Sequence, residues 1–169
     1  MRRGREVSVP LSKLREFLDQ HNIKYLVISH SVAYTAQGIA ALTHTPGKEL
    51  AKTVMVVVDG RLVMAVVPAS NRVDLTKLRK HLKAESVELA NEAEFRDRFP
   101  DCELGAMPPF GNLYGMDVFA DQNLALDKEI AFNAGSHREL VRMTFSDFRT
   151  LVAPTLMSLA VGKAASTAA

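Results

Sequence analysis

The stretch Thr53-Val-Met-Val-Val-Val-Asp-Gly-Arg-Leu-Val-Met-Ala-Val-Val-Pro68 constrains this chain more than any other. Two runs rich in β-branched residues flank Asp59-Gly60, a pair suited to a two-residue hairpin because that turn needs left-handed backbone at both central positions. A strand with one wet face alternates apolar and polar residues, whereas these runs are apolar almost throughout. Both faces must therefore be covered. The hairpin is expected at the centre of a sheet, with helices packed on it.

The flanking sequence supplies those helices and further strands. From Val9 to His21, Leu11, Leu14, Phe17 and Leu18 fall on one helical stripe, with Asn22 near its stop. Tyr25 to Ser29 reads as a strand, and Thr35 to Leu42 as a small-residue helix that ends around His44-Thr-Pro-Gly47. Asp74 caps a helix through Leu82, and Asn91, with Glu94 three residues later, opens another towards Phe99. Gly105-Ala-Met-Pro-Pro-Phe-Gly111 can only be loop. Strands are predicted at Asp117–Ala120, Glu129–Asn133 and Val141–Phe145, and Ser146 is expected to cap a last helix reaching about Val161. Residues 162–169 are small and polar enough to fray. With no internal repeat or linker, residues 1–169 read as one domain of α/β (α+β mixed) type, its core running from about residue 11 to 156.

Composition removes several function classes. A length of 169 residues suffices for a full core, and 47% apolar with 24% charged residues is ordinary for a globular chain. A net charge of +2 excludes the broadly basic surface of a histone-like DNA binder, so any nucleic-acid contact must come from a local patch. Lys77, Arg79, Lys80 and Lys83 on one helix form such a patch, or simply a solvated face. Cys102 is the single cysteine, which excludes an internal disulfide and a cysteine-based zinc site and fits a reducing compartment. No apolar run reaches the ~18 residues of a membrane span, and none follows the basic N-terminus, so the chain reads as cytoplasmic.

Familiar chemistries are missing too. Among His21, His30, His44, His81 and His137 no pair has the four-residue spacing of a helical metal site, so neither a metal nor a cofactor is expected. There is no phosphate-binding glycine pattern and no Gly-x-Ser-x-Gly elbow; Ser136 beside His137 is a weak nucleophile candidate, since adjacent side chains rarely face one another. What remains are three loops beside strands. Lys52 stands at the mouth of the apolar hairpin, where its charge requires either water or an anionic partner. The Gly105–Gly111 loop is either a rigid turn or a set of N–H groups presented to a carbonyl or phosphate. Phe132-Asn-Ala-Gly-Ser-His137 ends a strand in a tight turn, where the histidine either lines a pocket or caps the turn.

Taken in order, Thr35-Ala-Gln-Gly-Ile-Ala40, Ala51-Lys52-Thr53-Val54 with its hairpin, Gly105-Ala-Met-Pro-Pro-Phe-Gly111 and Phe132-Asn-Ala-Gly-Ser-His137 resemble the YbaK / prolyl-tRNA synthetase editing-domain family. Free-standing ProXp and YbaK proteins and the insertion domain of bacterial prolyl-tRNA synthetases belong to it. The likeness runs from about Leu11 to Leu156. It implies a central mixed β-sheet or partly closed barrel wrapped by helices. It also implies hydrolysis of the ester joining an amino acid to the 3′-terminal adenosine of tRNA, with no metal and no protein nucleophile. The vicinal ribose hydroxyl is thought to assist the water.

On that resemblance Lys52 and Gly105 are the catalytic candidates. His30, Pro109, Phe110, Gly111, Gly135, Ser136 and His137 are the substrate-binding ones. The partner is aminoacylated tRNA, with room for a synthetase. An activated ester explains the missing triad, because positioning a water and stabilising an oxyanion supply most of the acceleration. The chain departs from many relatives in having Thr53 after Lys52 and in Ser29-His30-Ser31, which bears on amino-acid specificity more than on the reaction. A rival reading keeps the same pocket as a non-catalytic module for an aminoacyl or nucleotide end.

Overall fold

Asp59 and Gly60 both adopt left-handed backbone, with φ of 47° and 83°, as a two-residue turn between right-twisted strands requires. The computed structural model describes residues 9–162. Their elements are α1 (Val9–Gln20), β1 (Tyr25–Ser29), α2 (Ala36–Thr43), β2 (Leu50–Val58), β3 (Arg61–Pro68), β4 (Arg72–Val73), α3 (Leu75–Leu82), β5 (Val87–Leu89) and α4 (Glu92–Phe95), then β6 (Val118–Asp121), β7 (Glu129–Asn133), β8 (Glu139–Thr144), α5 (Phe145–Val152), β9 (Thr155–Met157) and β10 (Ala160–Val161).

Eight strands form one mixed sheet in the order β1-β8-β7-β2-β3-β6-β9, with β5 alongside β2. The hairpin is central, as its two-faced hydrophobicity demands. Pairing is antiparallel for β1/β8, β7/β8, β2/β3 and β2/β5, and parallel for β2/β7, β3/β6 and β6/β9. Of the two expected forms, the sheet is the one present: its order ends at β1 and β9 among the described residues.

Successive residues of β2 and β3 feed opposite faces, as the two-residue strand period requires. Ala51, Met55, Met64 and Val66 pack with Leu14 and Leu18 of α1 and with Phe110, Phe132 and Phe148. Val56, Val58, Val63, Ala65 and Val67 pack with Leu78 of α3 and Leu159. Leu50, Ala131 and Leu140 pack with Ala33 and Ile39, the latter on α2. Helices thus flank both faces. Phe17 packs against the first of these clusters, and the side chain of Leu11 lies outside the described residues.

Local capping follows the sequence closely. Thr35, Asp74 and Asn91 cap α2, α3 and α4 with their side-chain oxygens, and Asn91 with Glu94 forms a reciprocal capping box. The C-terminal expectation is corrected. Thr144, not Ser146, caps the last helix, which stops at Val152 instead of reaching Val161. Ala153 turns left-handed (φ 50°) and Pro154, which has no N–H to continue the ladder, follows it. The chain then runs extended beside β6, where the buried carboxylate of Asp121 accepts the Leu159 and Ala160 N–H groups at 2.9 and 2.8 Å. Of the segment expected to fray, residues 163–169 lie outside the described residues.

Candidate active site

One edge of β2 is covered by β3 from Ala51 to Val58. The other edge is covered only at its ends, by β7 at Leu50 and Ala51 and by β5 from Val56 to Val58. Among the described residues no strand lies on the stretch between them, and Ala90 N–H reaches only the Met55 carbonyl at its far end (3.0 Å). Lys52 begins this gap. Strand alternation turns it to the face of Leu50 and Val54, away from Ala51 and Met55. In register it lies one step beyond the Ala51–Phe132 pair, beside Asn133. Asn133 stands opposite Leu140, which packs with Leu50, so Lys52 and Asn133 share a face.

Lys52 is half-buried, and desolvation lowers the pKa of its ammonium below the ordinary lysine value. No carboxylate is within ion-pair distance of it among the described residues. A cation held partly out of water with no counter-ion is costly in itself and is strongly attracted to any anion that enters.

Beyond Asn133 the chain turns through Gly135 (φ 94°) to His137. The Gly105 loop docks on that turn through two backbone bonds, Gly135 N–H to Ala106 O at 2.9 Å and Glu103 N–H to Gly135 O at 2.8 Å. The Glu103 carboxylate accepts the His137 N–H at 3.0 Å. His137 Nε2 is 2.8 Å from the Leu104 carbonyl. A carbonyl only accepts, so in the neutral ring Nε2 carries the hydrogen and Nδ1 is left as an acceptor. Gly105 lies directly against this ring: a Cβ there would stand 3.6 Å from His137 Cε1, on backbone with φ 83° that favours glycine. On the other side, His30 N–H donates to Arg138 O (2.8 Å) and Ala33 N–H to His137 O (3.3 Å). His30 Nδ1 bonds the Ser31 carbonyl at 2.7 Å, which by the same reasoning leaves its Nε2 an acceptor.

Among the described residues, the buried side-chain polar atoms without a partner are His30 Nε2, Thr53 Oγ1, Asn133 Oδ1 and His137 Nδ1. All four belong to the β2 gap, to the end of β7 or to the segments tied to its turn. Buried polar atoms are normally satisfied by protein or by water, so His30 Nε2, Asn133 Oδ1 and His137 Nδ1 call for water or a ligand's polar groups, and Thr53, alternating with Lys52, makes the same demand on the opposite face of β2.

The structure thus brings together Lys52, Gly105, Gly135, Ser136, His137 and His30. Ser136 is buried and its hydroxyl accepts from its own turn, at Arg138 N–H (3.3 Å). The rest of the proline loop goes inward. Phe110 is 0% exposed, with ring centroids 5.5 Å from Phe132 and 5.7 Å from Phe148. A Cβ on Gly111 would meet Val118 Cγ2 at 2.6 Å and the Met116 carbonyl at 2.7 Å. Pro109 is buried too. These three anchor the loop in the core, and only its Gly105 end is exposed. The sequence marks Thr53 only as a departure from relatives and gives Asn133 no role, although a lone Asn closing the apolar run Ile130-Ala-Phe132 is itself a signal of a polar demand at the strand's end.

A mixed sheet with a half-buried lysine and four unmet polar atoms around an interrupted strand edge defines a small α/β domain with a candidate site at that edge. Residues 30–151 match the aminoacyl-tRNA editing domain family, and the chain belongs to that family. It is 28% identical over 157 residues to the multifunctional Ser/Thr-tRNA deacylase ProXp-y of Escherichia coli (strain K12), covering 89% of this chain and 93% of the relative. It is 30% identical over 129 residues to the proline–tRNA ligase of Leuconostoc mesenteroides, covering 69% of this chain and 22% of that protein. A solved structure of a candidate trans-editing enzyme for prolyl tRNA synthetase shares the fold, with a TM-score of 0.80 at 21% identity over 93% of this chain and 100% of that one.

Proposed function

We propose that this protein is a trans-acting deacylase that hydrolyses the ester of wrongly charged aminoacyl-tRNA in the cytoplasm. The observation that carries the reading is Lys52: half-buried, without a counter-ion among the described residues, and beside the unmet acceptor of Asn133 at the interrupted edge of β2. Family membership supports the substrate class, and this geometry supports the role given to Lys52.

The ester of an aminoacyl-tRNA is already activated, so the protein's task is to place a water and stabilise the charge that develops on the carbonyl oxygen. Lys52 provides the positive charge, either to that oxygen or to the 3′-terminal phosphate. Its partial desolvation strengthens the interaction, because the same charge in bulk water would be screened. The Gly105 end of the proline loop closes the carbonyl side, held rigid by Phe110 and Gly111 in the core. His137, its tautomer fixed by Leu104, and His30 offer acceptor nitrogens to substrate N–H or O–H groups. Lys77, Arg79, Lys80 and Lys83 are all exposed at α3, which packs on the sheet face that Lys52 shares. They form a local basic patch for the acceptor stem.

Purified protein should deacylate at least one member of a panel of tRNAs mischarged with Ala, Ser, Thr, Cys or Pro faster than spontaneous hydrolysis. Binding of those tRNAs with no hydrolysis of any would instead make the protein a recognition module. The same panel, with and without the cognate synthetase, tests whether a partner is needed.

A further inference from the structure

We infer that Tyr34 is a stacking platform for the terminal nucleobase of the substrate, an inference that rests on the deacylase reading above. Tyr34 is 72% exposed, and among the described residues it is the one aromatic side chain in the exposed large apolar set, which otherwise holds only Leu and Val. A ring so exposed is ordinary when it hangs from a mobile loop. This one does not. The Ala33 N–H just before it is bonded to His137 O, Ala33 itself is buried, and Thr35 just after it caps α2 by accepting the Gly38 N–H at 3.0 Å. Both chain neighbours are therefore fixed.

The ring leans on His137 with centroids 4.7 Å apart and planes tilted by 54°. His137 is in turn held by Leu104, Glu103 and the bare face of Gly105. Tyr34 thus stands on the outer side of the residue that borders the unmet polar atoms, at the junction between pocket and solvent. The chemical order of an aminoacyl-tRNA end is amino acid, ester, ribose, base. With the ester at Lys52 and Gly105 and the amino acid towards Asn133, the ribose and its base leave on the other side, past His137, where Tyr34 offers an exposed ring. Stacking suits an unpaired base: it requires no hydrogen-bond code, and an unpaired 3′ end is free to splay onto an aromatic ring.

The test uses an uncharged RNA microhelix with a CCA end, and a second microhelix whose last nucleotide lacks its base. Tyr34→Ala should weaken binding of the first by about tenfold, within the range for one base–aromatic stack, and leave the second unchanged. Tyr34→Phe and Tyr34→Trp should restore it, since the hydroxyl plays no part. In deacylation, Tyr34→Ala should raise KM with kcat nearly unaltered, as expected for a positioning residue. Equal binding of the CCA microhelix by wild type and Tyr34→Ala, or an equal loss on the baseless RNA, would overturn the inference. Because this readout is binding, a failure of stacking is distinguishable from a failure of the deacylase reading, which only the hydrolysis panel addresses.

Discussion

The two ends of β2 are built from one continuous strand yet have opposite characters. From Val56 to Val58 it is paired on both edges, by β3 and β5, and Val56, its partner Val63 and the adjoining Met64 are 0–1% exposed. From Lys52 to Val54 it is paired by β3 alone, the residues are half-buried, and a lysine and an unsatisfied threonine hydroxyl replace valines. The closed end contributes stability through dry packing. The open end holds polar groups partly out of water, which costs stability and strengthens their attraction to any charged or polar partner.

If this division is right, substitutions at the closed end change stability and spare the chemistry, while those at the open end do the reverse. The largest stability effect is expected from Met64→Ala, which empties a fully buried site on β3 and should cost about 2–5 kcal/mol in urea unfolding, with the folded fraction still active. Gly105→Ala comes next. Placing a Cβ on left-handed backbone should cost about 1–2 kcal/mol and, by straining the loop that flanks His137, also slow deacylation. Thr53→Val should act in the opposite direction on stability. Removing an unpaired buried hydroxyl should raise stability by about 1 kcal/mol, while activity falls if the hydroxyl serves the substrate.

The smallest effect is a pH dependence. Desolvation lowers the pKa of Lys52 in the folded chain, so between that lowered value and the ordinary lysine value of about 10.4 the unfolded chain binds more protons. The Lys52 contribution to stability therefore improves as pH rises through that window, and below it the cost of the half-buried charge is fully present. The stability advantage of Lys52→Met over wild type should accordingly shrink as pH is raised. An advantage constant up to the ordinary lysine range would show that Lys52 is effectively solvated.

The closed end was legible in the sequence because its determinants are local: valine density and an Asp-Gly turn fix a hairpin without reference to the rest of the chain. The caps at Asp74 and Asn91 were legible for the same reason, whereas Thr35, read as the first residue of its helix, is that helix's cap. The open end was legible only as an unusual lysine, because the gap exists where two distant strands, β7 and β5, stop short of one another. Non-local contacts also explain the misread C-terminus, where Asp121 captures backbone at Leu159 and Ala160, 38 and 39 residues away. The proline loop was legible as a loop from its glycines and prolines, while the inward packing of Ala106, Met107 and Phe110 depends on the distant rings they meet. Thr53 and Asn133 lie inside the resembling stretches, but only burial without a partner shows their unmet polar atoms.

The division between the two ends is tested most directly by the single-turnover rate of deacylation for Lys52→Ala, measured beside Met64→Ala under conditions where both are folded. Loss of one electrostatic stabiliser of this kind costs about 10²–10³ in rate, so Lys52→Ala should fall by that factor with unchanged or higher stability. Met64→Ala should hydrolyse at close to the wild-type rate. Undiminished hydrolysis by Lys52→Ala, on a tRNA that the wild type deacylates, would contradict the placement of the reaction at the open end of β2.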